Sequence, residues 1–348
     1  MAKDRVLAAV TVLGGGLGAG KTTTLNHLLR AAAGRRIGVL VNDFGEANID
    51  ADLVVGVEGE TVQLTGGCVC CSIRGDLMEA LQQLLERPDP PEHIVIETSG
   101  VSDPKAVAST LEMAAKLGWA ELDAVVTLVD AERWPTLGRR EQIVTGAQIR
   151  AADVLVVNKS DVVDGPALEA VEAKLRKLAG RARLVRTSFG RVDPKVVLGI
   201  GAGLDLERDP LVPDPDHACG DDHAHGDHVD HGEVFTTVVY RTDKPMSSRR
   251  LRRAIDALAP SVVRAKGIVR IDGHDDRRAV LHVVGRRAEL RLDSPWGPRP
   301  PATQIVCIAA ADEIDEEAIV TRFAECEVEP GRAGPMRAAV AWMRARLS

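Results

Sequence analysis

The sequence predicts an α/β fold, with a doubly wound, mostly parallel sheet followed by a smaller α+β domain. Two observations predict this fold. Short apolar runs rich in β-branched residues alternate with helical patterns through the first half of the chain, and such runs are typical of parallel strands covered on both faces. A second set of strand and helix patterns begins at Phe235, after a stretch rich in Asp, Pro, Gly and His.

The predicted elements follow from these patterns in chain order. The first domain has predicted strands at Val6–Leu13, Ile37–Asn42, His93–Thr98, Ala124–Asp130, Val154–Asn158 and Leu184–Thr187. Its predicted helices include Lys21–Ala33, Gly75–Glu86, Pro104–Leu117 and Pro166–Leu178. The second domain has predicted strands at Phe235–Tyr240, Ile268–Ile271, Val280–Val284 and Ile305–Ala309, and helices at Ser248–Leu258 and Glu316–Cys326.

Composition and pattern divide the chain into four segments. They are a first domain at 1–200, an acidic His-rich linker at 201–232, a second domain at 233–328 and a terminal helix at 329–348. The terminal helix is predicted because apolar residues recur at helical spacing from Met336 to Leu347. Its apolar stripe is expected to pack on its own domain rather than to dock a partner.

Charge and cysteine usage limit the classes of function. A net charge of −7 argues against a general nucleic-acid or anionic-membrane binder. No apolar run is long enough to span a membrane, and the apolar stretch near the N-terminus runs directly into a glycine-rich loop, so no signal peptide is predicted. Three of the six cysteines lie within residues 68–71, which suits thiols kept reduced in a cytosol better than a disulfide framework. We expect a cytoplasmic protein.

The segment Gly15–Thr22 matches the phosphate-loop pattern G-x-x-x-x-G-K-[ST] between a predicted strand and helix. The glycines allow backbone N–H groups to surround phosphates, and the following helix favours the same anion. Lys21 is expected to reach the β- and γ-phosphates, and the Thr22 hydroxyl to bind Mg²⁺. The first domain is therefore predicted to be a P-loop NTPase. The predicted nucleotide-binding residues here are Gly15, Gly16, Gly18, Ala19, Gly20, Lys21, Thr22 and Thr23.

A later strand ends in Asn158-Lys159-Ser160-Asp161, which matches the guanine-binding pattern N-K-x-D. The Asp161 carboxylate can accept from guanine N1–H and the exocyclic amine together, whereas adenine offers no such pair of donors. Asn158 is expected to support the base edge and Lys159 to lie along the ring. Because the pattern follows a phosphate loop in the expected order, GTP is favoured over ATP.

Two further segments supply carboxylates at predicted strand ends. Glu97 begins the segment Glu97–Gly100, where it can hold a Mg²⁺-bound water while Gly100 lets the backbone approach the γ-phosphate. Asp43 follows the second strand, where it can position the attacking water or help to hold the metal. We expect Lys21, Asp43 and Glu97 to be the catalytic residues.

The segment Cys68-Val69-Cys70-Cys71 carries three thiols in four residues. In an extended loop, Cys68 and Cys70 point to one side and Cys71 to the other. Two or three thiolates leave a tetrahedral position open, which suits transient binding of Zn²⁺, Cu⁺ or Co²⁺. A redox switch and inert buried cysteines are the alternatives.

A second group of candidate metal ligands lies in the acidic linker. Between Asp205 and Glu233, ten acidic residues accompany one basic residue, Arg208. Exchangeable imidazoles in such a setting bind borderline metals weakly, although a merely solvated polar linker is the alternative. The candidate weak ligands are His217, His223, His225, His228 and His231.

Taken together, these motifs resemble the CobW-type GTPases, which are grouped with the UreG, HypB and MeaB types. The resemblance lies in five segments of the first domain: Gly14–Thr22, Asn42–Glu46, Gly66–Leu77, Glu97–Gly100 and Asn158–Asp161. In the second domain it lies in Arg264–Gly267, Trp296, Ile305–Ala309 and the acidic helix that ends at Cys326. Asp43 stands where many relatives carry Glu, so a carboxylate is kept.

The resemblance implies a GTP-dependent metallochaperone or metal-insertase that handles zinc or cobalt and serves a client metalloprotein. Expected cofactors are GTP, Mg²⁺ and Zn²⁺ or Co²⁺, and a homodimer is one expected assembly. One alternative is a GTP-dependent regulatory or scaffold protein that recruits a metalloenzyme without carrying metal. Another is a thiol-redox protein controlled by GTP.

Overall fold

The computed structural model describes residues 8–32, 35–41, 61–63, 72–100, 104–180, 182–199, 235–285, 287–297, 300–311, 314–329 and 342–346. The chain forms two compact units, Met1–Leu198 and Gly199–Ser348. The acidic linker predicted at 201–232 lies outside the described residues. Among the described helices, none combines the length and the apolar character needed to cross a membrane.

The first unit contains a seven-stranded sheet in which every pairing is parallel. Its strands, in chain order, are β1 Ala8–Gly15, β2 Ile37–Val41, β3 Thr61–Gln63, β4 His93–Glu97, β5 Ala120–Asp130, β6 Val154–Asn158 and β7 Arg183–Arg186. They lie in the order β3-β2-β4-β1-β5-β6-β7. The first strand is therefore central, and ligands of such sheets bind beyond the carboxyl ends of the strands.

Helices cover this sheet because its apolar strands must be shielded from water on both faces. All five residues of β2, β4 and β6 are buried, as expected for strands packed on both faces. The helices are α1 Lys21–Ala31, α2 Ser72–Leu85, α3 Pro104–Lys116, α4 Arg139–Ala151, α5 Gly165–Ala179 and α6 Pro194–Leu198. One apolar cluster packs α2 and α3 against β1, β2 and β4. Another packs α4 and α5 against β5 and β6.

Within its described residues, the second unit contains a six-stranded antiparallel sheet and two helices. Its strands are β8 Phe235–Thr242, β9 Val262–Val269, β10 Arg277–Val284, β11 Arg287–Pro295, β12 Thr303–Ala310 and β13 Trp342–Arg346, in the order β13-β11-β10-β9-β12-β8. The helices are α7 Ser248–Asp256 and α8 Glu316–Ala324, capped by the side chains of Ser247 and Asp315. One apolar cluster joins both helices to the sheet, so the unit has its own core.

The α/β fold class predicted from the sequence is confirmed. The six strands and four helices predicted for the first domain are present, with ends displaced by a few residues. Four observed elements were not predicted from the sequence: the strands β3 and β11 and the helices α4 and α6. Helix α4 was not predicted because glycine and polar residues interrupt its apolar pattern. Tertiary packing stabilises the helix despite this weak local signal.

The terminal helix predicted over 329–348 is wrong for Trp342–Arg346. These residues form the edge strand β13, antiparallel to β11, with Arg287 opposite Arg346 and Leu290 opposite Trp342. The physical reason is the long-range pairing. An edge strand supplies backbone hydrogen-bond partners to the outer side of β11, and a spacing of apolar residues cannot reveal that partner.

Candidate nucleotide site

The phosphate loop connects the central strand β1, which ends at Gly15, to helix α1, which begins at Lys21. Gly18 and Gly20 have φ values of 75° and 99°, in the left-handed region that favours glycine. A Cβ at Gly20 would also clash with the Asn158 side-chain nitrogen. Successive backbone N–H groups in such turns form an anion-binding concavity, and the helix N-terminus adds to it. The predicted role of this loop in binding phosphates stays a prediction.

Lys21 lies across this loop. Its side chain is buried, and Nζ donates hydrogen bonds to the carbonyls of Gly15 at 3.1 Å and Gly16 at 3.2 Å. The ammonium group is therefore held beside the backbone that would surround a phosphate. This is where a counter-charge for the β- and γ-phosphates is required.

Thr22 and Glu97 meet at the edge of the phosphate loop. The Thr22 hydroxyl donates to Glu97 Oε1 at 3.0 Å, and Glu97 is only 3% exposed. The contact follows from the sheet, because Leu13 of β1 pairs with Glu97 of β4. Hydroxyl and carboxylate oxygens are ligands that Mg²⁺ accepts together with water and phosphate oxygens. The residues present therefore fit a magnesium ion at this position.

Gly100 brings the loop after β4 against the phosphate loop. A Cβ at Gly100 would lie 2.8 Å from the Leu17 backbone nitrogen, so a side chain there would force the two loops apart. The Gly100 carbonyl accepts a hydrogen bond from Gln148 Nε2 of helix α4 at 3.2 Å. Glycine is therefore required for this contact between the two loops, and the predicted approach of Gly100 to the γ-phosphate stays a prediction.

Asn158 lies at the end of β6 and joins three loops. It is 2% exposed. Its Nδ2 donates to the Ala19 carbonyl at 2.9 Å, and its Oδ1 accepts from the Gly190 N–H at 3.0 Å. The amide thus fixes the phosphate loop against the loop after β7. Its expected contact with the base edge stays a prediction, since the visible contacts are with the protein.

The other two members of the guanine motif lie at the surface. Lys159 has a left-handed φ of 60°, and its Nζ contacts Asp130 Oδ2 at 2.6 Å. Asp161 is exposed in the 3₁₀ turn Ser160–Val162, where a base can reach its carboxylate. The Ser160 hydroxyl anchors this turn by donating to the Thr187 carbonyl at 2.9 Å. Asp161 is therefore presented from a fixed turn.

Sequence reasoning missed two contributors to this side of the site. One is Asp130, the last residue of β5. Its position at the carboxyl end of a strand, where ligands of such sheets bind, could have indicated a role in the site. The other is the loop after β7, where Phe189 is 67% exposed with a left-handed φ of 55°. A Cβ at Gly190 would lie 2.6 Å from Thr24 Oγ1 of helix α1. Only glycine therefore allows this loop to approach α1 so closely.

His27 of helix α1 is the histidine nearest in sequence to the phosphate loop. Burial lowers the pKa of its imidazole from the usual value of 6.5, and the positive charge of Arg191 lowers it further. The folded first unit therefore favours neutral His27.

Several predicted site residues cannot be placed. The catalytic candidate Asp43, the thiols Cys68, Cys70 and Cys71 and the linker histidines all lie outside the described residues. Within the described ranges, no group of three or more His, Cys, Asp or Glu side chains is arranged to hold a metal ion.

Cys307 and Cys326 are buried in the second unit, and burial raises their thiol pKa values to about 12 and about 11. Both therefore stay protonated.

Comparison with known families agrees with the fold and the phosphate loop. Residues 9–186 match the CobW/HypB/UreG nucleotide-binding domain, and residues 235–327 match the cobalamin synthesis protein cobW C-terminal domain. The first unit is thus a P-loop nucleotide-binding domain of that class. The chain belongs to the CobW family, and the resemblance seen in its motifs is confirmed.

Individual relatives cover almost the whole chain. The chain is 30% identical over 341 residues to the zinc chaperone CobW of Sinorhizobium sp, across 89% of this chain and 94% of the relative. It is 31% identical over 329 residues to the zinc chaperone YjiA of Escherichia coli (strain K12), across 91% of this chain and 98% of that relative. The crystal structure of Zn(II)-bound YjiA GTPase from E. coli matches 93% of this chain and 100% of its own at 24% identity, with a TM-score of 0.42.

Proposed function

We propose that this protein hydrolyses GTP and couples the hydrolysis to the transfer of a transition metal, zinc or cobalt, to a client metalloprotein. The observation that carries the proposal is the contact between Thr22 and Glu97 beside the phosphate loop, in a site that also presents Asp161 at its rim. The names of two relatives, both zinc chaperones, support the metal part, and the match to the CobW/HypB/UreG nucleotide-binding domain supports the nucleotide part.

The residues at the phosphate end would act on the triphosphate of GTP. Lys21 would place its ammonium against the β- and γ-phosphates, and the phosphate-loop N–H groups would hold their oxygens. Thr22 and Glu97 would hold Mg²⁺, directly or through its water. When bound, Mg²⁺ supplies charge neutralisation at the transferred phosphoryl group. Asp43 is proposed to orient the attacking water.

The residues at the base end would select guanine. The Asp161 carboxylate accepts two N–H donors that only guanine presents at that edge. Lys159 would cover the face of the base with its aliphatic stem, because its ammonium is held by Asp130. Asn158 would keep the base end in register with the phosphate loop through Ala19.

The metal is cargo in this proposal. Cys68, Cys70 and Cys71 would bind it as thiolates in one nucleotide state and release it in the other. The five linker histidines would capture metal weakly. Zinc is supported by the names of the relatives, whereas cobalt rests on the family resemblance alone. We further propose a cytoplasmic location, a homodimer as one assembly, and no nucleic-acid partner.

The proposal is tested by phosphate release from GTP as a function of Mg²⁺ concentration. Glu97→Gln is expected to raise the Mg²⁺ concentration needed for half-maximal turnover, because the amide loses the negative charge that attracts the ion. Glu92→Gln is the matched control, since it neutralises an exposed carboxylate paired only with Arg36 among the contacts described. An identical Mg²⁺ dependence in all three proteins would contradict the assignment of Glu97.

A further inference from the structure

A line of polar contacts runs from the base end of the site to the phosphate loop through Asp130. This residue ends β5 and is 8% exposed. Its Oδ2 accepts from Lys159 Nζ at 2.6 Å. Its Oδ1 accepts from the backbone N–H groups of Glu132 at 3.1 Å and Arg133 at 3.0 Å. One buried carboxylate therefore holds both the guanine-motif lysine and the turn that carries Arg133.

Arg133 continues this line to the phosphate loop. One guanidinium nitrogen, Nη1, donates to the Leu17 carbonyl at 3.1 Å, and the other, Nη2, pairs with Glu141 Oε1 at 2.6 Å. Glu141 is itself fixed, because its Oε2 accepts from the Gly138 N–H at the start of α4 at 3.3 Å. The guanidinium is thus held at two points, one of which is the phosphate loop itself.

The geometry of the peptide bond gives this contact a consequence for phosphate binding. In a trans peptide the C=O and the following N–H point in opposite directions. A guanidinium that holds the Leu17 carbonyl therefore sets the direction of the Gly18 N–H on the other side of the same peptide plane. Gly18 has the left-handed φ of 75° that such a loop requires. A charged donor on the carbonyl also polarises this N–H, which strengthens its bond to an anion.

We propose that Arg133 and Asp130 are positioning residues of the nucleotide site. Arg133 fixes the Leu17–Gly18 peptide for phosphate binding, and Asp130 links that arrangement to the guanine-reading segment through Lys159. Neither side chain needs to touch the nucleotide. The inference rests on the proposed GTP binding and deepens it, because it names residues that no motif of the sequence includes.

The test measures GDP and IDP affinities by titration calorimetry for the full chain and four variants. IDP keeps the N1–H of guanine but lacks the exocyclic amine, so the ratio of the two affinities reports reading of the base by Asp161. Arg133→Ala is expected to weaken GDP and IDP alike by about tenfold, the effect of losing one charge-assisted contact. Arg133→Lys should restore most of that loss, because an ammonium can still donate to the Leu17 carbonyl.

Asp130→Asn is expected to weaken GDP and also to reduce the preference for GDP over IDP, because Lys159 loses its charged partner. Arg139→Ala removes an exposed guanidinium at the start of α4 and should leave both affinities unchanged. Thermal unfolding of each variant serves as the control for folding. Since the Arg133 side chain is 44% exposed, its replacement should barely shift the unfolding temperature.

Each result of these titrations either supports or overturns part of the inference. Unchanged GDP affinity in Arg133→Ala, with normal binding by the parent chain, would overturn the inference and leave the proposed GTPase standing. A GDP:IDP ratio in Asp130→Asn equal to that of the parent would remove the link to the base. Failure of the parent chain to bind guanine nucleotides would overturn the inference together with the proposed function.

Discussion

Replacing Asn158 with alanine should strongly lower the free energy of unfolding of the first unit, because one side chain satisfies two buried backbone groups. The amide is buried, and it serves the Ala19 carbonyl at 2.9 Å and the Gly190 N–H at 3.0 Å. Alanine leaves both backbone groups without this partner. Each buried group that loses its partner costs about 1–3 kcal/mol, so the two groups together should lower the free energy of unfolding by about 2–6 kcal/mol.

The assay is urea unfolding followed by circular dichroism, with the transition of the first unit fitted by linear extrapolation. Gln142→Ala is the matched control. Gln142 is exposed, and its Nε2 donates to the Leu137 carbonyl at 2.9 Å, so its loss should change stability by no more than about 0.5 kcal/mol. A decrease below about 1 kcal/mol for Asn158→Ala, with an unchanged slope, would show that the two hydrogen bonds of Asn158 contribute little to stability.

The same variant should bind nucleotide poorly, because Asn158 fixes the phosphate loop against the loop after β7. Saturating GDP stabilises a binding protein in proportion to the logarithm of its concentration over Kd. At equal GDP concentration, the midpoint of unfolding should therefore rise less in Asn158→Ala than in Gln142→Ala. Equal increases would show that the contacts of Asn158 serve the fold alone.

The remaining predictions concern other residues of the first unit. Lys21→Ala and Thr22→Ala should each lower GTP turnover by about a hundredfold or more, since each removes a group that acts on the triphosphate or its metal; near-normal turnover by phosphate release would exclude the phosphate-loop roles. Asp161→Asn should shift preference from GTP towards XTP in competition binding, because its NH₂ suits the xanthine oxygen; an unchanged margin would mean that Asp161 does not read the base. The lowered pKa of His27 means that the unfolded chain binds its proton first as pH falls, so stability should decrease from about pH 7.5 to about pH 5.5. His27→Gln should flatten urea-derived stability over that window, and a parallel pH profile in both proteins would contradict the effect.

The fold and the phosphate loop could be predicted because their signals are local. Gly15, Gly18 and Gly20 permit the left-handed backbone that the loop adopts. The order of buried strands and helices along the chain determines the class of sheet. Lys21, Thr22 and Gly100 lie together at the phosphate loop, and their contacts with a nucleotide stay predictions. The strand-end carboxylate Glu97 meets Thr22 because β1 and β4 are neighbours in the sheet.

Other parts depend on contacts between distant residues and escaped prediction. The edge strand Trp342–Arg346 depends on its partner β11, so its helical spacing of apolar residues was misleading. Asn158 matched a base-binding motif, yet its contacts join loops centred on Ala19 and Gly190. The role of Asp130 exists only because the turn at Arg133 and the side chain of Lys159 converge on it.

In the proposed function, the nucleotide state controls a transition metal that is held by Cys68, Cys70 and Cys71. The direct test is elemental analysis of the protein purified from cytosol and loaded with Mg²⁺ and a non-hydrolysable GTP analogue, compared with the GDP form. We expect about one tightly bound zinc or cobalt per chain in one of the two states only, as one thiolate site provides. That metal should be lost in Cys68→Ala and retained in Cys326→Ala, which removes a buried thiol of the second unit. Equal metal content in both nucleotide states, or full retention in Cys68→Ala, would contradict this coupling.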